Sequence, residues 1–474
     1  MLPAAGGPRR SIILGINGMK SECRLRGKVP RPVSWSGFVS GAKKQHLGAQ
    51  VNLFLLIILV ILIGSYVLDV IVETLNVRHV TTDLPSEFEG YYDAEKYQKS
   101  QEYLKENTRF GILTDTIITP ITIAFILFGG FNIVDRFARS FGVGAIPTGL
   151  IFAGTLLFAS QILSIPFSLY STFVIEEKYG FNKTTPKTFF LDICKSWLLI
   201  AVIGGPLLSA VLWFFQKAGP WAWAYCWIAV TVFQIFLMFI APVVIMPLFN
   251  KFIPLEEGDL KEAIESYARS QKFKLKGIFT MDGSKRSTKT NAFFTGFGKL
   301  RRIVLYDTLI EKHSVRELVS ILAHEMGHYK KKHILKSVVI SVLTTGLMFY
   351  ILSMFINNPD LFAAFKMEHT SIYASLLFFG FLYSPIQMVL SLFGNMLSRK
   401  HEYEADEYSV KTYRDPGSMI VALKKLSVDN LSNLTPHPLK VLLSYSHPPI
   451  LKRIQAIRQI VPAASAEPWT SKTF

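Results

Sequence analysis

Seven apolar stretches dominate this chain, and each is long enough to cross a membrane. They run over residues 53–75, 112–134, 148–175, 196–216, 221–248, 337–357 and 371–397. A helix needs about 20 residues to cross a hydrocarbon core ~30 Å thick, and seven such runs cannot all hide in one soluble core. The first begins LFLLIILVILIG, too uniform for an amphipathic globular helix, and 148–175 holds no charged residue. Asp69 and Glu73 close the first stretch, where they can face a cavity or the interface. Pro120, Pro166, Pro206, Pro242 and Pro247 fall within or at the ends of the stretches; broken helices are tolerated in a bilayer where they line protein or water. Composition agrees: 18% of the residues are charged, against roughly 25% in a soluble domain. Cys23, Cys194 and Cys226 are not spaced as a metal clip or redox pair and imply no disulfide framework. The expected fold is a mainly α, polytopic membrane protein.

Two polar regions, 251–336 and 398–474, are large enough to carry chemistry. Two spans separate them, so they share one membrane face, where the loops 77–111 and 177–195 join them. That face holds 38 Lys and Arg residues and the other face 13, nine of which lie in residues 1–50. The positive-inside rule makes the first face cytoplasmic. The net charge of +17 then reports topology, and no nucleic-acid partner is expected, since the basic segment 283–311 contains no recognised binding module.

Residues 1–50 carry nine basic residues against one acidic, with no span and no apolar core of a signal peptide. Two expectations stay open for them: a disordered basic tail, or upstream sequence before a native start near Val51, whose GTG codon can also initiate in bacteria. The organisation expected is a leader (1–50), five spans with an amphipathic loop at 77–111 (51–250), a polar region with a β-hairpin and the motif helix described next (251–336), two spans (337–397), and C-terminal helices (398–474).

The sharpest motif is His324-Glu325-Met326-Gly327-His328, an HExxH pentad in SVRELVSILAHEMGHYKKKH. Val315, Leu318, Val319, Leu322 and Ala323 recur at helical spacing. On a helix His324 and His328 project from one face, where their imidazoles can share a zinc ion while Glu325 reaches an attacking water. Gly327 allows close approach of a neighbour. A catalytic zinc keeps three protein ligands and one open position. The metzincin extension is excluded because Lys331 and Ile334 stand where its Gly and His belong, and His333 is expected to point off the metal face. The better source is SRKHEYEADEYS, after the seventh stretch. There Glu402 and Asp406 share a helical face and Glu404 points away. Glu402 would complete a His₂Glu set, and Asp406 could accept the second N–H of a ligand histidine. A solvated acidic helix is the plainer reading of that segment, and its emergence on the face of the HExxH helix argues against it.

In GSKRSTKTNAFFTGFGKLRRIVLYDTLIE, residues 283–311, RRIVLYD reads as a strand and Gly296 and Gly298 as a turn or bulge. A strand beside the HExxH helix can bind peptide by edge addition, with Asn291 bonding the substrate backbone or serving only as a polar turn residue. In SYSHPPILKRIQAIRQ, His447 precedes two prolines and a helix starting near Ile450. It can stabilise an oxyanion or simply shape the turn, and Arg453 can pair with a site carboxylate.

Together these pieces resemble the type I CAAX prenyl proteases, integral-membrane zinc metalloproteases that process prenylated C-termini. Besides HEMGH, the matching pieces are IPFSLYSTFVIEEKYGFN at 165–182, GSKRSTKTNAFFTG at 283–296, RRIVLYDTLI, HEYEAD at 401–406 and YSHPPILKRIQAI at 445–457. The resemblance covers about 53–460; the leader has no counterpart, and the region between NAFFTG and HEMGH lacks the long charged insertion of some eukaryotic members. It implies seven transmembrane helices around a water-filled chamber, and one zinc per chain held by His324, His328 and Glu402. It implies Glu325 as general base and Asn291, Asp406, His447 and Arg453 as supporting site residues. Implied partners are membrane lipid and a peptide or prenylated protein. The implied membrane is the bacterial inner membrane or, in a eukaryote, the endoplasmic reticulum or nuclear envelope. A general membrane-protein quality-control protease shares every one of these residues. A transporter with an incidental HExxH would instead show charged pairs within its spans, which hold few charges.

Overall fold

The computed structural model describes residues 52–81, 83–295 and 302–460. The expectations for the leader, for Cys23 and Val51, and for the Gly296 and Gly298 turn lie outside these residues. Seven helices are long and apolar enough to cross a membrane: Leu53–Arg78, Ala94–Leu127, Ala145–Glu176, Pro186–Lys217, Gly219–Phe249, His333–Ser353 and Ile372–Tyr413. All seven expected stretches fall on them, with one correction. The second was expected over 112–134, but its helix ends at Leu127, Gly129 takes the left-handed conformation (φ 72°), and a separate helix runs over Gly130–Ser140. That helix is amphipathic, burying Phe131 and Asp135 and exposing Ile133 and Phe137. Apolar content alone carried the expectation across the break that the Gly129–Gly130 pair marks.

The spans are not uniform cylinders. Turns of π-helix interrupt the third, fourth and fifth over Ser171–Glu176, Ile200–Gly204 and Ala241–Ile245. Pro206 follows the second of these and Pro242 lies in the third; a proline removes one backbone donor and displaces the carbonyl it would have met.

The seventh helix positions the chemistry. Its 42 residues extend about 63 Å at ~1.5 Å per residue, twice what a bilayer requires. Its last turns therefore stand clear of the apolar span and carry His401, Glu402, Glu404 and Asp406. The HExxH helix, Val315–Lys330, starts at a capping box in which the Ser314 hydroxyl accepts from Glu317 N–H and the Glu317 carboxylate accepts from Ser314 N–H. It ends two residues before the sixth span, at a break where Lys332 takes φ 58°. Both helices of the site are thus rooted directly in spans.

A four-stranded mixed sheet lies beside them: β1 (Phe252–Pro254), β2 (Gly277–Met281), β3 (Ala292–Thr295) and β4 (Arg302–Tyr306), in the order β1-β2-β4-β3. β2 and β4 run parallel, and the other pairs are antiparallel. The strand expected at RRIVLYD is therefore interior, flanked on both sides. Among the described residues the edge strands are β1 and β3, and β3 follows Asn291 in NAFFT. Ile303 and Leu305 of β4 and Ala292 of β3 pack with Leu322, Ala323 and Met326 of the HExxH helix and Ala422 and Leu426 of the C-terminal region in one buried core. A second core joins Phe88, Tyr97 and Tyr103 to Ile175 and Phe181 and to Val410, Leu423 and Ile454. The loops at 77–111 and 177–195 and the C-terminal region therefore lie on one side of the spans, as their even separation required.

Candidate functional site

The HExxH helix and the seventh-helix extension pack at a distance that only a small residue permits. A Cβ on Gly327 would come within 3.0 Å of the Ala405 Cα and 3.1 Å of its carbonyl oxygen. This close crossing brings the His324, His328 and Glu402 side chains onto one point. The two histidine Nε2 atoms are 3.1 Å apart; His328 Nε2 lies 3.2 Å from Glu402 Oε1, and His324 Nε2 lies 3.5 Å from Glu402 Oε2. A tetrahedral zinc with bonds of ~2.1 Å separates its ligand atoms by about 3.4 Å, so the three side chains already stand at the spacing such an ion requires. Glu402 Oε2 is buried without a well-formed hydrogen bond, and the charges nearest it are the Arg453 guanidinium and the His324 ring. The donor set, two imidazoles and one carboxylate, suits zinc.

Behind His324 stands Asp406, whose Oδ1 lies 2.8 Å from His324 Nδ1 and accepts its proton. Arg453 holds that carboxylate by a two-pronged contact, Nη2 donating to Oδ1 at 2.6 Å and Nε to Oδ2 at 2.8 Å, while its Nη1 lies 3.3 Å from Glu402 Oε2. The guanidinium is fully sequestered, and although burial opposes its charge, Asp406, then Glu402 and Glu325, hold its pKa above the ordinary value. Burial likewise opposes the charged form of His324, but Asp406 and Glu402 prevail and raise its pKa to about 9. A metal must displace that proton. Metal affinity is therefore expected to rise with pH, roughly tenfold per unit while one proton is released, and to level off above about pH 9. Chelator competition at a series of pH values checks this; a flat profile between pH 6 and 8 would contradict it.

The remaining expected residues are placed as follows. His447 Nε2 lies 3.3 Å from Glu402 Oε1, with Ser446 Oγ 3.0 Å from its Nδ1, so the turn before Ile450 does deliver the ring to the triad. Glu325 is buried on the HExxH helix and acts electrostatically on Arg453. Asn291 lies at the head of β3; its Oδ1 accepts from Ala292 N–H at 2.9 Å and its backbone carbonyl accepts from Tyr306 N–H at 3.1 Å. Those contacts place it on the strand rather than in direct contact with His324, His328 or Glu402.

His333 and Glu404, expected to face away from the metal point, are not among the three converging side chains and stand behind His328. His333 Nδ1 lies 3.0 Å from His328 Nδ1, and His333 Nε2 lies 2.9 Å from Glu404 Oε2. The chain breaks at Lys332, where φ is 58°, and His333 meets the outer nitrogen of His328 and not the metal point. The residues that anchor 283–295 were missed. Arg286 makes a two-pronged contact with Asp192 at 2.8 and 3.0 Å, Lys289 reaches Glu176 at 2.8 Å, and the Asn430 side chain accepts from Thr290 N–H at 3.1 Å. Spans three and four and the C-terminal region thereby hold the segment that leads into β3; nothing in its local pattern names such distant partners.

Known proteins resemble this chain over most of its length. Residues 73–251 match the family described as CAAX prenyl protease N-terminal, five membrane helices, and residues 254–461 match peptidase family M48. A CAAX prenyl protease 1 homolog of Arabidopsis thaliana is 36% identical over 411 residues, 83% of this chain and 96% of that protein. CAAX prenyl protease 1 of Saccharomyces cerevisiae is 36% identical over 79% of this chain and 88% of its own length. Among solved structures, Ste24p of S. mikatae superposes with a TM-score of 0.81 at 34% identity, covering 85% of this chain and 99% of that one.

Proposed function

Since this chain belongs to peptidase family M48, with the five-helix N-terminal region of the CAAX prenyl proteases, we propose that it is an integral-membrane zinc metalloendopeptidase. Its substrates are CAAX-type, prenylated proteins or membrane-associated peptides, cut near the C-terminus. The observation that carries this reading is the convergence of His324, His328 and Glu402 at ligand spacing on two helices rooted in the sixth and seventh spans. His324, His328 and Glu402 hold the metal, one per chain. When bound, zinc polarises the scissile carbonyl and acidifies the attacking water.

The chain's own residues do the rest. Glu325 takes the proton of the attacking water and returns it to the leaving amine. His447, beside the Glu402 carboxylate, donates a hydrogen bond to the oxygen that becomes negative in the tetrahedral intermediate. Asp406 keeps the His324 proton on Nδ1 and so leaves Nε2 free for the metal; Arg453 fixes both carboxylates. The open edge of β3 receives the substrate in extended form, with Asn291 at its head bonding the substrate backbone. The segments expected on the catalytic side hold 38 of the 51 Lys and Arg residues, which by the positive-inside rule turns that side to the cytoplasm.

The test is a pair of peptides, one farnesylated and one not, incubated with the purified chain with and without a zinc chelator. Cleavage of the farnesylated peptide with at least about tenfold higher kcat/KM, abolished by the chelator, is expected. Equal cleavage of both would favour a general membrane protease, and chelator-resistant cleavage would contradict the metal mechanism.

A further inference from the structure

The two site histidines are not held alike. His324 is gripped directly by Asp406. His328 has no carboxylate on its outer nitrogen; it has another histidine, and that histidine has the carboxylate. We propose that His333 and Glu404 form a positioning relay that sets the tautomer and ring orientation of His328. The proposal rests on the metal-centre reading above and deepens it.

Proton bookkeeping gives the relay one direction. The Glu404 carboxylate can only accept, so His333 carries its proton on Nε2 and donates it to Oε2 at 2.9 Å. A neutral His333 then presents a lone pair at Nδ1. Across 3.0 Å, His328 must supply the proton from its own Nδ1. That leaves the lone pair of His328 on Nε2, the atom 3.2 Å from Glu402 Oε1 and 3.1 Å from His324 Nε2. The opposite tautomer of His328 would set lone pair against lone pair at Nδ1 and aim a proton at the metal point.

The relay is built rather than incidental. His333 is only 3% exposed, and its ring lies flat on His401, with centroids 3.9 Å apart and planes 10° from parallel. The left-handed break at Lys332 turns His333 back toward the HExxH helix. One helix, Ile372–Tyr413, therefore supplies a metal ligand, Glu402, and the carboxylates behind both histidines: Asp406 directly and Glu404 through His333. Glu402 and Glu404 face in different directions on that helix, and the HExxH helix with its break reaches both. Outer partners of a ligand histidine typically contribute 10–100-fold in metal affinity.

The test uses the full chain in detergent, with zinc affinity measured by competition against a chromogenic chelator and metal-free stability followed by thermal unfolding. His333→Phe keeps an aromatic ring for His401 to stack on but cannot accept the His328 proton. It is expected to weaken zinc binding about 10–100-fold while moving the metal-free melting temperature much less. Glu404→Ala is expected to weaken binding by a smaller factor, and Glu404→Gln, whose amide oxygen still accepts from Nε2, by less again. In the His333→Phe background, Glu404→Ala is expected to add nothing, because it acts only through His333. Zinc affinity unchanged in both His333→Phe and Glu404→Ala, or losses that simply add, would overturn the relay. If the parent chain itself binds no stoichiometric zinc, the metal-centre reading fails first, and that result is distinct from either.

Discussion

Replacing Glu325 with Gln is expected to abolish hydrolysis and leave the metal site filled. The amide matches the carboxylate in size, and Glu325 lies beside rather than among the three side chains that converge on the metal point. It cannot take a proton from water, so turnover of a farnesylated peptide should fall by about 10²–10⁴-fold, the usual worth of a positioned general base. Zinc content by elemental analysis should remain near one per chain. Undiminished turnover in zinc-loaded Glu325→Gln protein would remove Glu325 from the base role.

The second large effect is expected at Glu402. Two histidines alone are one ligand short of the usual catalytic zinc set, and loss of a mere outer partner already costs about 10–100-fold in affinity. Glu402→Ala should therefore lower zinc affinity by more than ~100-fold and activity with it. The same change strips Arg453 and His447 of a partner, at 3.3 Å from each. Arg453 keeps its two contacts to Asp406, so the fold should survive with a loss of about 1–3 kcal/mol. Full metal occupancy in Glu402→Ala would disqualify it as a ligand and move the third position to another group.

These two expectations differ in how far the chain alone supports them. His324, Glu325 and His328 are readable in order, because a helix of period 3.6 puts residues four apart on one face whatever surrounds it. The capping box at Ser314 and Glu317 marks the helix start just as locally. Glu402 and Asp406 are readable only as a pair on a helix; that the pair meets His324 and His328 depends on the crossing at Gly327. His333 and Glu404 show where local phase reasoning stops. The five-position step from His328 to His333 crosses a left-handed residue, Lys332, and a non-glycine in that conformation carries no sequence mark.

Asn291 and the edge strand follow the same division. RRIVLYD reads as a strand, but whether it or NAFFT lies at the sheet edge is a question of order, answered by the β1-β2-β4-β3 arrangement and not by composition. Likewise the apolar run at 112–134 is real, yet a Gly129–Gly130 break divides it between a span and a helix that buries only one face.

By itself the sequence determined the seven spans, their even spacing around two polar regions and the HExxH face, since hydropathy and helical period are local and additive. Only the tertiary structure decided which acidic residues meet which histidines, because those contacts join residues some 45 to 82 positions apart. The long seventh helix carries Glu402, Glu404 and Asp406 beyond the apolar span, and the gap left by the missing side chain of Gly327 lets the HExxH helix close on them.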